Sequence, residues 1–408
     1  MRRRACSPGA SGCELMRRPG ITRAVLGLLL FLLAGWPAAA GSLACAPPVQ
    51  RDDGWQIADS GKTGFDEAAL CALMAEASIA EPLHALVVMR NGALVAELYR
   101  RGTDRSIYSV FGHETAFGPT VLHDMRSISK TVVALLVGIA VGEGRIDPQK
   151  PVLDYFPELA RLRTPERLAI TVEHLLTMSS GLDWNESTVS YGSLRNDETR
   201  LYWTWSQPRF VFDRAVTARP GERFAYNGGG TAVLAAIIEK VTGLAVRDYA
   251  RERLFAPLGI VRWEWVRDLH RRDLAFAGLR LTPRDLLKIG RLVLDGGRVD
   301  GRQLIPAAWI ATALTPRIST EGGGGYGYQI WTGSFERDGG RVPFAAMVGN
   351  GGQRLFLAPD LGLAIAMTAG AYNDDTIGRR LRSLAARIVT AAQPAVTAQQ
   401  GRPAVPPP

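Results

Sequence analysis

A serine and a lysine stand three residues apart at the start of an apolar segment. Ser127 and Lys130 lead into a run from Thr131 to Val141 that is apolar on every side, which predicts a buried helix. Ser127 then lies at the helix N-terminus, where free N–H groups and the positive end of the dipole stabilise an anion. Lys130 lies one turn further on the same face. Burial should lower the pKa of its ammonium, so that the neutral amine can take the hydroxyl proton of Ser127 and activate it as a nucleophile.

Two plainer interpretations stay open for this motif. Ser127 would serve as an ordinary helix N-cap without any chemistry. Ser129 competes with it both as a cap and as a nucleophile, although no lysine follows Ser129 three residues later.

A tyrosine precedes a second helix. Tyr226 lies in a glycine-rich turn, before a helix predicted from Thr231 to Thr242 that Gly243 ends. Its phenol can face a cleft, where a neighbouring ammonium would lower its pKa from the ordinary value of about 10 and suit it to shuttle protons. The alternative is a turn tyrosine that only packs its ring.

A third motif, Asn350-Gly351-Gly352, lies between two predicted strands. Glycines there let a substrate approach the backbone, and a strand-edge N–H can serve as a second oxyanion donor. An ordinary glycine-rich hairpin is the alternative.

The elements that must position these motifs are strands at both ends of the chain and helices between them. Asn91-Gly92 joins two apolar runs, 83–89 and 93–99, which predicts a β-hairpin. Residues 127–300 read as mostly helical, with helix starts at Thr171 and Thr282. Strands are predicted over 344–348, 354–358 and 363–368, and a last helix over 375–391. This pattern predicts an α/β protein of the segregated, α+β type, in which both ends complete one sheet.

In this order, the three motifs resemble those of the serine β-lactamase/penicillin-binding-protein superfamily, and within it the class C-like serine hydrolases of the 6-aminohexanoate-dimer hydrolase type. The resemblance covers roughly residues 80–390. It implies that Ser127 is acylated, that Lys130 is its base partner and that Tyr226 protonates the leaving group and activates water. It also implies an oxyanion hole from the Ser127 N–H and a backbone N–H near Asn350, Gly351 or Gly352. The implied fold is β-lactamase/transpeptidase-like: an antiparallel sheet flanked by helices, with a helical subdomain.

Two departures from the β-lactamase pattern shape the functional expectation. Gly228 stands where Tyr-x-Asn has its asparagine, and Asn350-Gly351-Gly352 stands where β-lactamases carry Lys-Thr-Gly. The missing lysine removes a positive charge that would hold a carboxylate, so a small, less anionic ester or amide is the expected substrate. A β-lactamase, a D-Ala-D-Ala carboxypeptidase and a non-catalytic ligand-binding protein of the same fold remain alternatives.

The N-terminus reads as an export signal. A basic stretch from Met16, an apolar run of about 12 residues and Pro37-Ala38-Ala39-Ala40 predict a secretory signal peptide within residues 1–40, with residues 1–15 upstream of the true start. The run is too short to span a bilayer, so no stable membrane span is expected after cleavage. We expect a periplasmic or secreted protein, with lipoprotein anchoring at Cys45 as a minor alternative. Cys45 and Cys71 either pair in that oxidising compartment or stay free.

The predicted layout of the chain is a lead-in at 41–80, a hydrolase domain at 81–392 and a disordered Pro/Ala/Gln-rich tail at 393–408. The net charge is +9, but residues 1–40 contribute +5, and no basic run interleaved with aromatics points to nucleic acid. No Cys/His spacing suggests a metal, and no cofactor is expected.

The histidines and the aromatic residues of one loop-rich stretch are two further groups that could contribute to the site. The five histidines are expected to be packing residues, and only one of them, His123, lies close to Ser127 in sequence. The aromatic residues of the loop-rich stretch 181–220 either overhang the site or belong to the core; they are Trp184, Tyr191, Trp203 and Trp205.

Overall fold

The computed structural model describes residues 46–109, 111–337 and 339–393. The predicted signal peptide, Cys45 and the tail beyond residue 393 therefore lie outside the described residues. Cys71 is disulfide-bonded. The domain boundaries and the export signal stay predictions.

The strands are mostly short, apart from those that build the main sheet. They are β1 Gln56–Ile57, β2 Leu83–Arg90, β3 Ala93–Tyr99, β4 Arg101–Asp104, β5 His113–Ala116, β6 His123–Asp124, β7 Glu264–Trp265, β8 Leu279–Leu281, β9 Arg298–Val299, β10 Arg302–Gln303, β11 Ile318–Ser319, β12 Gly325–Tyr326, β13 Trp331–Arg337, β14 Gly340–Gly349, β15 Gln353–Ala358 and β16 Leu363–Ala369.

The helices range from one turn to more than four turns. They are α1 Glu67–Ile79, α2 Ile128–Gly142, α3 Pro165–Leu168, α4 Val172–Leu176, α5 Asp197–Leu201, α6 Gln207–Phe212, α7 Gly228–Thr242, α8 Val246–Ala250, α9 Pro283–Leu294, α10 Ala307–Leu314 and α11 Thr376–Ala391. Short 3₁₀ segments occur at Val152–Tyr155, Pro157–Leu162 and Pro359–Leu361, and a π-helical turn at Arg251–Phe255.

One sheet dominates the structure, with the strand order β1-β3-β2-β16-β15-β14-β13-β12-β11. Its pairs are antiparallel except for β1 beside β3. The predicted hairpin and the three predicted C-terminal strands form its centre, where β16 pairs with β2. Strands β1, β11, β12 and β13 are not predicted from the sequence, because the first three are only two residues long and β13 has apolar side chains only at Trp331 and Phe335.

Side chains alternate between two cores, one on each face of the sheet. Val87 and Met89 of β2 join the core that contains α2, α7 and α9. Leu86 and Val88 join the other core, which contains α1 and α11. The predicted α+β sheet flanked by helices is confirmed.

The helix that carries the Ser-x-x-Lys motif is buried almost throughout. In α2, every residue from Ile128 to Ala140 is buried, as the apolar run predicted. Ser127 occupies the N-cap position, but its side chain makes no capping hydrogen bond, so the interpretation of Ser127 as an ordinary N-cap is wrong. The second site helix, α7, begins at Gly228, three residues earlier than predicted, because the Asn227 side chain caps it by accepting from the Gly230 N–H. Gly243 ends α7 at a φ of 73°, a conformation that favours glycine.

Among the described residues, no single helix has the length and apolar character needed to cross a membrane; the bent pair Gly228–Thr242 and Val246–Phe255 meets the test only when taken together.

Candidate active site

The structure brings together the three side chains predicted to do chemistry. The Lys130 ammonium donates to Ser127 Oγ at 3.1 Å. Lys130 Nζ also lies 5.0 Å from the centre of the Tyr226 ring. The Ser127 hydroxyl is close enough to the Tyr226 phenol to lower its pKa. Tyr226 directly precedes the α7 cap, so the N-termini of α2 and α7 converge at this point.

Ser129, the competing serine, has a structural role. Its hydroxyl donates to the Arg126 carbonyl at 2.6 Å and accepts from the Leu279 N–H at 3.0 Å. It is fully buried, so it fixes the turn before α2 and is closed to a substrate. Arg126 occupies this turn with a φ of 50°, an unusual value for a residue other than glycine, directly before Ser127.

Two glutamates that the sequence interpretation missed surround Lys130. The ammonium donates to Glu198 Oε2 at 2.7 Å and to the Phe276 carbonyl at 2.9 Å, and it lies 3.7 Å from Glu186 Oε1. Both carboxyl groups are buried. Glu186 lies in the loop before α5, two residues after Trp184, and Glu198 lies in the first turn of α5.

These carboxyl groups keep Lys130 charged, whereas a neutral amine is expected from the sequence. Burial alone would lower the pKa of Lys130, but Glu198, Tyr226 and Glu186 raise it by more, so its pKa lies above the ordinary value. The expected fall in the Lys130 pKa is therefore wrong. That expectation rests on the burial of Lys130 alone and takes no account of the two neighbouring carboxyl groups.

The expectation for Tyr226 is also wrong in sign. Burial raises the pKa of its phenol, and Glu186 raises it as well, while Lys130 and the Ser127 hydrogen bond only partly offset this rise. At rest, the lysine is thus an ammonium and the tyrosine a neutral phenol.

The glycine-rich segment after β14 lies against the turn that carries Ser127. A Cβ at Gly349 would overlap the Met125 carbonyl oxygen, so only glycine allows the end of β14 to approach so closely. Gly351 and Gly352 follow with φ values of 91° and 99°. The backbone at 350–352 is therefore near the predicted nucleophile, but the oxyanion role of Asn350, Gly351 and Gly352 stays a prediction.

The Asn350 side chain has a positioning role. Its Nδ2 donates to Asn373 Oδ1 at 2.8 Å, and its Oδ1 accepts from the Asn373 N–H at 2.8 Å. Both residues line the same cleft, so this pair ties the loop after β16 to the end of β14.

A cleft of about 630 Å³ opens over Ser127. One side carries guanidinium groups: Arg126 and Arg105 lie 4.3 Å and 5.2 Å from the centre of the Tyr372 ring. The cleft therefore receives positive charge from the turn before α2 (Arg126) and from the segment after β4 (Arg105), although the Lys-Thr-Gly lysine is missing. A larger cavity of about 980 Å³, lined by segments such as 50–55 and 256–262, contains none of the predicted site residues.

Of the four aromatic residues of 181–220 expected either to overhang the site or to join the core, two line the cleft, Trp184 packs against the core, and Trp205 has neither of the two expected roles. Tyr191 and Trp203 line the cleft, and Trp205 is 85% exposed beside His270. Trp184 donates its indole N–H to Glu186 Oε2 at 2.8 Å and thus supports the carboxyl group beneath the site.

His123 lies close to Ser127 in sequence but belongs to a different buried pair. His123 Nε2 lies 2.9 Å from His84 Nδ1, and His123 Nδ1 lies 3.1 Å from the Asp124 carbonyl oxygen. This pair is a packing feature between β2 and β6, in line with the prediction for the histidines.

A Ser-x-x-Lys motif at a buried helix, a tyrosine on a neighbouring helix turn and a glycine-rich turn between two inner strands of the sheet define a class of serine hydrolases. A family model described as Beta-lactamase matches residues 72–387. The chain belongs to the Beta-lactamase family and is a serine hydrolase of the amidase and esterase type.

Individual relatives agree with this assignment. The 6-aminohexanoate-dimer hydrolase of Paenarthrobacter ureafaciens is 30% identical over 312 residues, which cover 72% of this chain and 74% of that protein. The lovastatin esterase of Penicillium rubens is 25% identical over 193 residues, which cover 42% of this chain and 46% of that protein. A penicillin-binding protein homologue from Caulobacter crescentus shares the fold, with a TM-score of 0.60 and 20% identity over 80% of this chain and 96% of that one.

Proposed function

We propose that this protein is an exported hydrolase that cleaves a small ester or amide through an acyl-enzyme on Ser127. The observation that carries this proposal is the hydrogen bond from the buried Lys130 ammonium to Ser127 Oγ, at 3.1 Å, with the Tyr226 ring centre 5.0 Å from the same ammonium. A nucleophile, a cation and a phenol in mutual contact are the parts that acyl transfer requires.

The raised pKa values of Lys130 and Tyr226 imply that proton loss must precede the attack of Ser127 on the substrate. Lys130 and Tyr226 together must lose one proton before either can accept the proton of Ser127. Ser127 Oγ then bonds to the substrate carbonyl carbon, and the positive end of α2 stabilises the oxyanion. Tyr226 passes the proton to the departing alcohol or amine as its bond to the carbonyl carbon breaks. In the second half, the same groups take a proton from water as its oxygen bonds to the acyl carbon. The bond from that carbon to Ser127 Oγ then breaks, the proton returns to Ser127 Oγ, and the acid is released.

Covalent labelling tests this proposal. A fluorophosphonate probe should attach to the wild-type protein at Ser127, as located by peptide mass spectrometry, and Ser127→Ala should abolish labelling. Ser106→Ala is the matched control, because Ser106 also lines the cleft. Persistent labelling of the Ser127→Ala protein would refute the proposal. The labelling rate should rise towards alkaline pH, since the required proton loss is from groups with raised pKa values.

A substrate panel distinguishes the remaining alternatives. We propose p-nitrophenyl esters and linear amide oligomers as substrates, the latter because a relative of this chain is named as a 6-aminohexanoate-dimer hydrolase. Turnover of nitrocefin faster than of any ester or amide would instead indicate a β-lactamase. Ligand binding without turnover would indicate a non-catalytic relative.

Export rests on the sequence of residues 16–40 and is tested separately. Expression of the full chain in a bacterial host, followed by fractionation and N-terminal sequencing, should yield a periplasmic or secreted protein that begins at Gly41. Recovery of the uncleaved chain from the cytoplasm would contradict this part.

A further inference from the structure

Three ionisable groups share one buried pocket beneath Ser127. The side chains of Lys130, Glu186 and Glu198 are 1%, 0% and 3% exposed. All three N–H donors of the ammonium have acceptors, namely Ser127 Oγ, Glu198 Oε2 and the Phe276 carbonyl. This arrangement suits a charged lysine, which needs one compensating negative charge.

Glu186 is surrounded by donors. Its Oε2 accepts from the Gly228 N–H at 2.6 Å and from the Trp184 indole at 2.8 Å, and its Oε1 accepts from the Tyr191 hydroxyl at 3.3 Å. Hydrogen bonds of this kind stabilise an ionised carboxylate.

Glu198 lies between Glu186 and Lys130. It accepts from Lys130 at 2.7 Å, and the Glu186 carboxyl group lies 3.7 Å from the same Nζ, so the two buried carboxyl groups share one small pocket. Burial and the neighbouring Glu186 raise the pKa of Glu198. Two buried carboxylates this close together repel strongly unless one of them carries a proton.

The other titratable groups around the pair add no compensating charge. Tyr108, Tyr191 and Tyr226 face the two carboxyl groups, and burial raises the pKa of each phenol, so all three are neutral. Arg126 acts on Tyr108 and is balanced by Asp124 at 3.1 Å. Tyr326 also faces Glu186 and is neutral for the same reason.

We propose that Glu186 and Glu198 hold one proton between them, so that the pair carries a single negative charge, which balances Lys130. Either acid alone can then supply this charge, with the other serving as a neutral hydrogen-bonding partner. Because the charge keeps the proton on Lys130, the carboxyl pair sets the pH at which Ser127 becomes a nucleophile. Glu186 and Glu198 are thus positioning residues that act through Lys130, and this consequence for reactivity rests on the proposed function.

The pH profile of fluorophosphonate labelling tests how many negative charges the carboxyl pair carries. The rising limb of this profile is the pH range in which the labelling rate increases. Glu186→Gln and Glu198→Gln should each leave the rising limb in place, since the remaining acid ionises. The double variant should move the limb to lower pH by about 1–3 units, because the ammonium has lost its counter-charge. Glu198→Gln with Glu239→Gln is the matched double control and should leave the limb in place; Glu239 is another partly buried acid, on α7.

Infrared spectroscopy tests the shared proton without relying on reactivity. At neutral pH the wild-type protein should show a deuterium-sensitive stretching band of a protonated carboxyl group, and each single glutamine variant should lose it. This measurement decides the question even if the double variant does not fold. A carboxyl band without any serine labelling would leave the pair intact and refute the proposed function instead.

Three results would overturn the proposal. A shift of the limb in either single variant would mean that both acids are ionised. An unshifted limb in the folded double variant would mean that neither acid is ionised in the wild-type protein. Identical carboxyl bands in the wild-type and both single variants would mean that no proton is shared.

Discussion

Gly228 leaves room for the carboxyl group of Glu198. A Cβ atom at position 228 would overlap Glu198 Oε2 and would lie 3.1 Å from Glu186 Oε2. The departure from Tyr-x-Asn at this position therefore has a physical reason, because the carboxyl pair fills the space that a side chain would occupy.

Substitution of Gly228 should disturb both stability and the site. Gly228→Ala should cost about 1–3 kcal/mol through overpacking and should slow serine labelling, as Glu198 is displaced from Lys130. Thermal unfolding and labelling rates measure the two effects. Gly322→Ala is the control, because a Cβ there meets open space. Equal behaviour of the two variants would show that the pocket tolerates a side chain.

The sequence allowed the positions of the site elements to be predicted, but not the charge state of the site. The apolar run after Lys130 is long enough to specify a buried helix, and Asn91-Gly92 specifies the hairpin. Glu186 and Glu198 lie in a polar stretch without periodicity, and only tertiary folding buries them. The glycine at position 228 was the available signal, since a missing side chain beside a catalytic motif implies another occupant. Without these acids, desolvation alone predicted the wrong direction for the Lys130 pKa.

The Asn350–Asn373 pair should stabilise the cleft wall. Asn350→Ala removes two hydrogen bonds and should cost about 1–2 kcal/mol. In a double-mutant cycle, Asn350→Ala and Asn373→Ala should be non-additive, because both remove the bond between the two side chains, whereas the bond to the Asn373 backbone N–H is lost only with Asn350. Chemical unfolding measures the cycle. Additive losses would show that the two side chains act independently.

Arg105 should matter for anionic substrates. Its guanidinium lies over Tyr372 at the cleft, so Arg105→Ala should raise KM for an ester that carries a carboxylate and leave KM for its neutral methyl ester unchanged. Steady-state kinetics on the matched substrates provide the measurement. Arg341→Ala, on the exposed part of β14, is the control. An equal rise for both substrates would point to loss of packing rather than of charge.

The exposed apolar residues at the cleft should favour substrates with apolar chains. Trp203 and Leu269 line the cleft while 55% exposed. Trp203→Ala should lower kcat/KM about tenfold for p-nitrophenyl octanoate, equivalent to about 1–2 kcal/mol of lost apolar contact, with little effect on the acetate. Val261→Ala, on an exposed residue outside this cleft, should change neither. A uniform loss for both esters would contradict this specificity role.

The buried histidine pair should make the fold sensitive to acid. Burial lowers the pKa of His84 to about 4 and that of His123 to about 3. Between the ordinary value of about 6.5 and these values, the unfolded chain binds protons that the folded protein does not. Stability contributed by the pair is therefore complete above pH ~6.5 and falls as pH decreases, by roughly 1.4 kcal/mol per pH unit for each such proton.

Urea unfolding from about pH 7 to about pH 4 measures this dependence, which follows from proton linkage. His84→Gln should flatten it, because one of the two titrating groups is gone while a donor to His123 remains. His270→Gln, at the surface beside Trp205, should leave the slope as in the wild type. If the unfolding free energy depended on pH equally in the two variants, the histidine pair would not contribute to the acid sensitivity of the fold.

The pairing of β2 with β16 joins residues 83–90 to residues 363–369 at the centre of the sheet. During synthesis, the ribosome must therefore release almost the whole chain before the central ladder can form, and contacts this distant in sequence form slowly. If the protein is exported as proposed, the chain would thus pass through a translocon before its sheet closes, and the fold would assemble on the far side.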